Sequence, residues 1–339
     1  MLFLPFSCMV ENLITIETGK INSYLYHIDV RAYGAPRMLS VFVAQFDDSS
    51  VLIDCGSSLD TKKLVRFLKK LKIDLSSFKY LTTTHHHFDH NGGLWQLYEI
   101  LKDYNPEVKI LTNQKTKELL NDYETHLARG KRTYGNLIGS MKPIEESAFQ
   151  IIKPSTNFNS DADKLDFIDS FTVNGSEVKF GILKTPGHTP DHQCPIFVED
   201  SLIDFIQFGE SVGTIYHSSE LITMPTSMPT YYNHKEYMAT LRNLKNLFPS
   251  KSGFGHFGVV NGKENVRKML LEHETFMEEF REAIIKFYSE KPETRYVLEQ
   301  MMPMLITRTD LSIEDNPVFN GIALGIVYGM MMDLGYRKE

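Results

Sequence analysis

The sequence predicts a mixed α/β fold that is followed by an all-helical C-terminal part. Two series of strand-like runs, one from the N-terminus and one from about residue 165, are each followed by segments with helical spacing. From residue 264 onward the apolar residues recur with a period of about 3.6, as in an α-helix. Periodicity alone supports this fold class without fixing the topology.

In the first series, apolar and β-branched residues alternate in short runs, and glycines and the turn sequence at residues 47–50 separate them as in hairpins. Residues 1–10 are expected to form a first strand rather than a signal peptide, because they lack a basic start and contain Pro5. The other predicted strands are residues 13–18, 23–28, 38–46, 51–53, 79–84 and 108–112. Helices are predicted over residues 60–72 and 94–101.

Residues 113–150 are charged and helix-prone, with Tyr123, Tyr134 and Met141 among them, and we expect a helical insertion that lies near the functional site. The second strand series follows it, over residues 166–171, 177–185, 194–198 and 202–208.

The C-terminal part is predicted as three helices, over residues 264–286, 293–306 and 318–332, which Pro292, Pro303 and Pro317 separate. The Met-rich end is expected to form core or a subunit interface, so a homodimer through this extension is one expectation. The first helix carries one apolar stripe, formed by Val266, Met269, Leu270, His273, Phe276, Met277, Phe280 and Ile284.

The composition is that of a soluble globular protein, with 339 residues, 42% apolar and 23% charged. The net charge of −7 disfavours a nucleic-acid partner, which requires a basic surface. No run approaches the ~20 apolar residues of a membrane span. The three cysteines are far apart, which predicts free thiols and a cytoplasmic location.

The most informative segment is residues 84–93, where His85, His87, Asp89 and His90 form the pattern His-x-His-x-Asp-His. Side chains of this kind would repel or desolvate one another unless a cation held them, so the pattern predicts a metal site. In extended backbone His85, His87 and Asp89 would share one face, and His90 would point away toward a second ion. A strand pattern precedes the segment and a helical pattern follows it, which is where α/β proteins place their sites.

Residues 51–258 resemble the metallo-β-lactamase superfamily in the order of their motifs. The matching motifs are Asp54-Cys-Gly56, the pattern at residues 85–90, Thr185-Pro-Gly-His188, Gly209-Glu210 in place of the family's Gly-Asp, and Gly255-His256. The resemblance implies an αββα sandwich with the metal site between the sheet edges. It also implies a catalytic domain over residues 1–263 and a C-terminal α-helical extension over residues 264–339.

The resemblance further implies two divalent metal ions, with zinc favoured and iron or manganese as alternatives. His85, His87 and His188 would hold the first ion, and Asp89, His90 and His256 the second. Glu210 is preferred to Asp204 as the bridging acid. Glu210 follows an apolar strand and Gly209, whereas Asp204 lies within the strand and would face solvent.

Three more residues are expected around these ligands. Asp54 would orient a ligand or the motif loop, His192 would contact substrate or hold its own motif, and Tyr216 would orient a substrate carbonyl. The remaining histidines with no partner by spacing (His126, His217, His234 and His273) are interpreted as ordinary helix or surface residues.

The implied function is hydrolysis of a small ester, thioester or lactone by a hydroxide that the two metals activate. Asp89 would be both a ligand and the catalytic proton shuttle. The chain resembles glyoxalase II-type thioesterases in its helical tail, and lactonases in the sequence from His188 to His192. The expected partner is a small-molecule substrate, without nucleic acid or membrane.

Two alternatives stay open. A di-iron redox protein, an oxygen or nitric-oxide reductase or sensor related to the flavodiiron branch, is compatible with an oxygen-rich bridge from Glu210. That branch usually carries Glu at the position of His87. A nuclease of the same fold is the second alternative, and the acidic net charge disfavours it.

Overall fold

The computed structural model of the protein describes residues 13–312 and 318–338. The strand expected over residues 1–10 and the helix boundary expected at Pro317 therefore lie outside the described residues. The strands are β1 (Ile14–Thr15), β2 (Gly19–Lys20), β3 (Leu25–Asp29), β4 (Ser40–Gln45), β5 (Ser50–Ile53), β6 (Phe78–Thr82), β7 (Lys109–Asn113), β8 (Phe149–Ile152), β9 (Asp169–Val173), β10 (Ser176–Lys184), β11 (Gln193–Glu199), β12 (Leu202–Gln207), β13 (Lys251–Gly253) and β14 (Val259–Asn261).

The α-helices lie between and after these strands. They are α1 (Thr61–Lys70), α2 (Phe88–Asn91), α3 (Leu94–Lys102), α4 (Gln114–Asn121), α5 (Tyr123–Tyr134), α6 (His234–Leu244), α7 (Lys263–Glu290), α8 (Thr294–Ile306) and α9 (Phe319–Asp333).

Within the described residues, the strands form two sheets of seven strands each. The first has the order β2-β3-β4-β5-β6-β7-β8, and the second has the order β1-β14-β13-β12-β11-β10-β9. In the first sheet β5 to β8 run parallel to one another, and in the second β12 and β13 are the parallel pair. The antiparallel hairpin expected around residues 47–50 joins β4 to β5.

Aromatic side chains fill the space between the two sheets. Phe42 of β4 packs on Phe205 of β12 with the ring centroids 5.2 Å apart, and Phe46 stacks on Phe171 at 4.3 Å. Val41 and Val43, which alternate with Phe42 along β4, belong instead to the core that includes helical side chains of α1, α3, α6 and α7. The predicted αββα sandwich with C-terminal helices is thus confirmed.

The strand directions bring several strand ends to one edge of the sandwich. The loops after β5 and β6 leave the carboxyl ends of parallel neighbours in the first sheet. In the second sheet β10 and β12 are both antiparallel to β11, and β13 is parallel to β12, so the loops after these three strands leave at a common edge. This is the position at which α/β sheets carry functional residues.

The sequence pattern missed several short elements. Strands β13 and β14 have three residues each, too few for periodicity to identify. Helix α6 carries a recognisable start signal, because the side chain of Asn233 accepts a hydrogen bond from the N–H of Glu236 at its N-terminus.

The expectation that Pro303 separates two helices is wrong, since Pro303 lies inside α8. Proline removes only one backbone donor there. Glu299, whose carbonyl loses that donor, is exposed, so water can satisfy it.

The C-terminal helices pack on the sandwich through the predicted residues. All eight positions of the expected apolar stripe of α7 are buried. Helix α9 lies against the loop that precedes α6, where the Ser227 hydroxyl donates a hydrogen bond to the carbonyl of Ile326 at 2.8 Å. Among the described residues, no helix combines the length and apolar character that crossing a bilayer would require.

Gly329 allows α9 to approach this loop closely. A Cβ at Gly329 would lie 1.9 Å from the carbonyl oxygen of Ser227, whereas a Cβ at Gly321 of the same helix would meet nothing within 4 Å. We expect Gly329→Ala to lower the free energy of unfolding by about 1–3 kcal/mol through overpacking. Gly321→Ala should raise it by up to about 1 kcal/mol through helix propensity. Urea unfolding followed by circular dichroism measures both, and equal stabilities would contradict the packing described here.

Candidate metal centre

At the shared edge of the two sheets, seven side chains of the types that bind metals lie close together. His85 and His87 follow β6, His188 follows β10, Glu210 follows β12 and His256 follows β13. Asp89 and His90 lie on the short helix α2, which begins directly after the segment that carries His85 and His87.

These side chains form two neighbouring groups, and within each group the potential ligand atoms lie within 4.8 Å of one another. The first group is His85, His87, His188 and Glu210, and the second is Asp89, His90 and His256. The expectation that Asp89 shares a face with His85 and His87 is wrong, because Asp89 belongs to the second group. The backbone turns into α2 at Phe88, so the alternation of extended backbone ends before Asp89.

The carboxylate of Glu210 lies between the two groups. Its Oε2 atom is 2.8 Å from Nε2 of His188 and 3.3 Å from Nε2 of His85, in the first group. The same oxygen is 3.5 Å from Nε2 of His90, and Oε1 is 3.7 Å from Nε2 of His256, in the second group. This position allows one acid to serve both groups.

Hydrogen bonds fix the tautomers of three of the imidazoles. The Nδ1–H of His188 donates to the carbonyl of Thr226 at 2.6 Å, and the Nδ1–H of His256 donates to the carbonyl of Met38 at 2.6 Å. A carbonyl can only accept, so in the neutral ring each Nε2 carries a lone pair that faces the groups. Bonds of this kind orient metal-binding histidines in proteins.

Thr84 fixes His85 by the same logic. Its hydroxyl donates to Oδ2 of Asp54 at 2.8 Å, so it accepts from Nδ1–H of His85 at 3.0 Å. Nε2 of His85 is buried and has no hydrogen-bond partner among the described residues. A buried lone pair without a donor is costly, so a cation suits this position.

Burial favours the neutral form of two imidazoles in the first group. It lowers the pKa of His85 well below its usual value and that of His87 to about 4. Nε2 of His188 and Nδ1 of His87 are only 3.1 Å apart, so they must share either one proton or one cation.

The acids of the site require positive charge nearby. Burial raises the pKa of Glu210, but His188, His256 and His85 more than offset this and hold it well below its usual value. Burial lowers the pKa of His90, and Asp89 and Asp54 reverse this and raise it well above normal. A proton on His90 or a bound cation can supply the charge, and the seven side chains therefore fit a divalent metal.

Asp54, predicted to orient a ligand or the motif loop, lies beneath the ligands. It is buried and accepts hydrogen bonds from the backbone N–H and hydroxyl of Thr84 and from the Asn91 side chain. Its Oδ2 lies 3.4 Å from Nδ1 of His90. Asp54 thus contacts the segments that carry His85 and His90.

His192 holds the loop that carries Glu210. The backbone N–H of Glu210 donates to Nε2 of His192 at 3.1 Å, and Nδ1–H of His192 donates to the Thr185 hydroxyl at 2.8 Å. Both ring nitrogens are thereby used, which explains why His192 lies beside the ligands without joining either group.

Asp204 lies outside both groups. It accepts hydrogen bonds from the Asn22 side chain at 2.6 Å and the Tyr24 hydroxyl at 2.7 Å. The expectation that it faces solvent is therefore wrong, because these partners from the turn between β2 and β3 partly bury it. Tyr216 is buried and lines the cavity above the site, with its hydroxyl 3.8 Å from the sulfur of Met38.

Glycines next to the ligands permit close approach. Gly209 has a positive φ of 56°, and a Cβ there would lie 2.7 Å from Nε2 of His192. A Cβ at Gly255 would lie 2.4 Å from the ring of His90. Any larger residue at these positions would displace the imidazoles, which accounts for the Gly-Glu and Gly-His pairs in the sequence.

Sequence reasoning missed several residues that adjoin the ligands. The expectation that His126 is an ordinary helix or surface residue is wrong, because its ring stacks on His87 at 5.5 Å and its Nε2 accepts from the backbone N–H of Phe88. His86 is buried and pairs with Asp191 at 2.9 Å. Each partner is far away in sequence, so spacing alone offered no signal.

A cavity of about 800 Å³ opens above the two groups. His87, Asp89, Glu210 and His256 lie at its floor, and its walls come from α5, from the segment around residues 224–231 and from α9. The guanidinium of Arg129 on α5 donates a hydrogen bond to the Thr230 hydroxyl at 3.0 Å, which joins two of these walls. The cavity gives a small molecule access to the ligand groups.

Comparison with known proteins agrees with this geometry. The sequence model of the metallo-beta-lactamase superfamily matches residues 34–203, about half of the chain. The curated metallo-beta-lactamase fold-containing protein of Sulfurisphaera tokodaii is 26% identical over 249 residues, which cover 70% of this chain and 81% of that protein.

Solved structures share the fold. The crystal structure of an archaeal metallo-beta-lactamase superfamily protein from Sulfolobus tokodaii matches with a TM-score of 0.61 at 20% identity, covering 91% of this chain and 98% of the other. A metallo-beta-lactamase family protein from Thermus thermophilus matches with a TM-score of 0.56 at 15% identity, covering 88% and 89%.

Replacing Glu210 should weaken metal binding because it removes the charge that both groups face. We expect Glu210→Gln to lower zinc affinity by about tenfold or more, since cations held in the two adjacent groups would repel each other strongly without this carboxylate, even at an effective dielectric constant of about 20. Asp204→Asn is the matched control and should retain the affinity of the unaltered protein. Competition with a fluorescent zinc chelator measures both, and the reverse order would show that Asp204 is the ligand.

Thr84 should matter for metal binding although it is not a ligand. Thr84→Val removes the acceptor for Nδ1–H of His85 and a donor to Asp54, so we expect an affinity loss of about 10–100-fold. Thr82→Val is the control, because the Thr82 hydroxyl only donates to the carbonyl of Leu111 in the neighbouring strand. The same chelator competition applies, and equal effects of the two substitutions would argue against tautomer control by Thr84.

Proposed function

This chain belongs to the metallo-beta-lactamase superfamily, and from its site we propose a metal-dependent hydrolase that holds two divalent cations and cleaves a small ester, thioester or lactone. The observation that carries the proposal is the carboxylate of Glu210 between two groups of ligand atoms at the floor of a cavity. Two groups that share one acid are the arrangement that holds a pair of ions at short separation.

The donor types favour zinc. Five of the seven side chains are imidazoles, and nitrogen-rich sets suit zinc, whereas oxygen-rich sets suit manganese. When bound, the cations would lower the pKa of a water molecule toward neutrality and polarise the substrate carbonyl.

The chain's own residues handle protons and orient the substrate. Asp89 lines the cavity next to His90 and His256, so its carboxylate can take a proton from the attacking water and return it to the leaving group. Tyr33 and Tyr134 line the same cavity, and burial raises the pKa of both phenols. They keep their protons and can donate hydrogen bonds to a substrate oxygen.

The cavity also supports a small-molecule substrate. Its floor is reached through walls that are mostly apolar, with Met, Pro and Tyr side chains around the ligand groups. A polynucleotide would need a basic surface, which disfavours the nuclease alternative in a chain of net charge −7. A di-iron redox protein is the other alternative, and His87, at the position where that branch usually carries Glu, argues against it.

Metal content and turnover test the proposal together. Protein stripped with a chelator and reloaded with zinc should bind two ions per chain by elemental analysis and hydrolyse an ester, thioester or lactone from a screening set. His188→Ala and His256→Ala should each reduce the bound metal and lower kcat by about a hundredfold or more, because each removes several kcal/mol of transition-state stabilisation.

His234→Ala is the control, because His234 lies at the start of α6 and pairs with Tyr232 away from the site. It should keep both metal and turnover. One ion per chain with full turnover would refute the two-ion arrangement. Oxygen consumption by iron-loaded protein without hydrolysis of any substrate would favour the redox alternative instead.

A further inference from the structure

We propose that the wall of the cavity formed by α9 binds an apolar acyl chain of the substrate, so that the enzyme prefers long-chain over short-chain esters or thioesters. The inference rests on the proposed hydrolytic function and adds the chemical class of the substrate. We define the α9 groove by the residues of this helix that line the cavity away from the metal ligands: Gly321, Ile322, Leu324, Gly325, Tyr328 and Met332.

The groove is continuous with the candidate metal centre. The same cavity is lined by Glu210 and His256 at one end and by Ile322 and Tyr328 of α9 at the other. A substrate whose reacting carbonyl lies at the metal ligands can therefore extend its remaining atoms along α9 without leaving the cavity.

Helix α9 has more apolar surface than its packing on the rest of the protein buries. No charged residue occurs from Phe319 to Met332. One side of the helix is buried, but Leu324 remains 42% exposed and Tyr231 across the cavity remains 40% exposed. Exposed apolar side chains that line a cavity favour an apolar ligand.

Glycines give the groove its depth. Gly321 and Gly325 are four residues apart, so they lie on one face of α9. A Cβ at Gly321 would meet nothing within 4 Å, and a Cβ at Gly325 would meet only the flexible end of Met228, at 2.7 Å. The helix surface is therefore open at Gly321, and at Gly325 it is covered by the end of the Met228 side chain, which is flexible enough to move aside.

The groove is held in place before any ligand binds. Gly329 packs α9 directly on the backbone of Ser227, and the Ser227 hydroxyl donates to the carbonyl of Ile326. The N–H of His234 donates to Asp333 at 2.9 Å, which fixes the far end of the helix. A pre-formed apolar wall favours binding, because little conformational entropy is lost when the ligand binds.

A short acyl group would contact only a small part of the α9 groove. The cavity measures about 800 Å³, near the upper end of the roughly 300–1,000 Å³ range of small-molecule sites. Each methylene moved from water into an apolar site contributes about 0.8 kcal/mol, or about fourfold in affinity. Affinity and kcat/KM should therefore rise with acyl length until the groove is full.

The test uses binding and catalysis on the full chain. Dansylaminoundecanoic acid, a fluorescent fatty-acid probe, is titrated into chelator-treated protein, so that binding is measured without metal or turnover. In parallel, kcat/KM of the zinc-loaded protein is measured for p-nitrophenyl esters of increasing acyl length. We expect saturable probe binding, competition by dodecanoate but not butanoate, and kcat/KM that rises with length.

Two variants locate the site. Gly321→Leu places a side chain in the open part of the groove and should weaken probe binding by about tenfold, the equivalent of nearly two methylenes. It should lower the ratio of long-chain to short-chain kcat/KM by a similar factor. Asn320→Leu adds the same side chain at the neighbouring exposed position outside the cavity, and both quantities should stay unchanged. Leu324→Gln provides a second groove variant without added bulk, and should also weaken probe binding.

The outcomes separate this inference from the proposed function. Probe binding that Gly321→Leu weakens, without hydrolysis of any ester, would support the groove and refute the hydrolase. Hydrolysis of short esters, with no probe binding and equal effects of Gly321→Leu on all acyl lengths, would support the hydrolase and overturn the groove. A dimer that Leu324→Gln dissociates, in protein that binds no probe, would overturn it in favour of a second copy of the chain.

Discussion

The buried carboxylate of Glu210 faces imidazoles from both sheets, and the shape of the site depends on this contact. His85 and His90 follow a strand of the first sheet, and His188 and His256 follow strands of the second. All four nevertheless place a nitrogen within 3.7 Å of one carboxylate. Charged and polar groups this deeply buried are stable only when they compensate one another or bind a cation. The contact therefore brings the edges of the two sheets together, and a cation bound there would stabilise this edge.

Site residues could be predicted from the sequence when they lie close together along the chain, and were missed when their partners lie far away along it. His85 to His90 lie within six consecutive residues, so their pattern alone indicated a metal centre. His188, Glu210 and His256 were found only because short motifs follow in a recognisable order. The partners of His86 and His126 are set by tertiary packing, since Asp191 lies 105 residues from His86, and the amide of Phe88 lies 38 residues from His126.

For the fold, the length of each element decided whether the sequence pattern could predict it. Long helices such as α7 were predicted with their buried faces, because a stripe repeated over many turns is a strong signal. Short strands β13 and β14 were missed although they position His256, because three residues cannot show a period. The Met-rich helix α9 was interpreted as core or interface, and the structure places one face in the core and another on the cavity wall. Composition could not separate these roles, because an apolar side chain suits both.

Glu210 stands where the family usually has Asp, and the hydrogen bonds of its backbone explain why the longer side chain fits. The N–H of Glu210 donates to His192 and its carbonyl accepts from the Thr226 hydroxyl at 2.7 Å, so the backbone is held on both sides. Gly209 before it has a positive φ and sits against Thr84 and His192, which prevents the loop from moving closer to the ligands. With the backbone held at this distance, the reach of the side chain determines where the carboxylate lies. The additional methylene of Glu places it between the two ligand groups, and a shorter acid would withdraw it by about one carbon–carbon bond, roughly 1.5 Å.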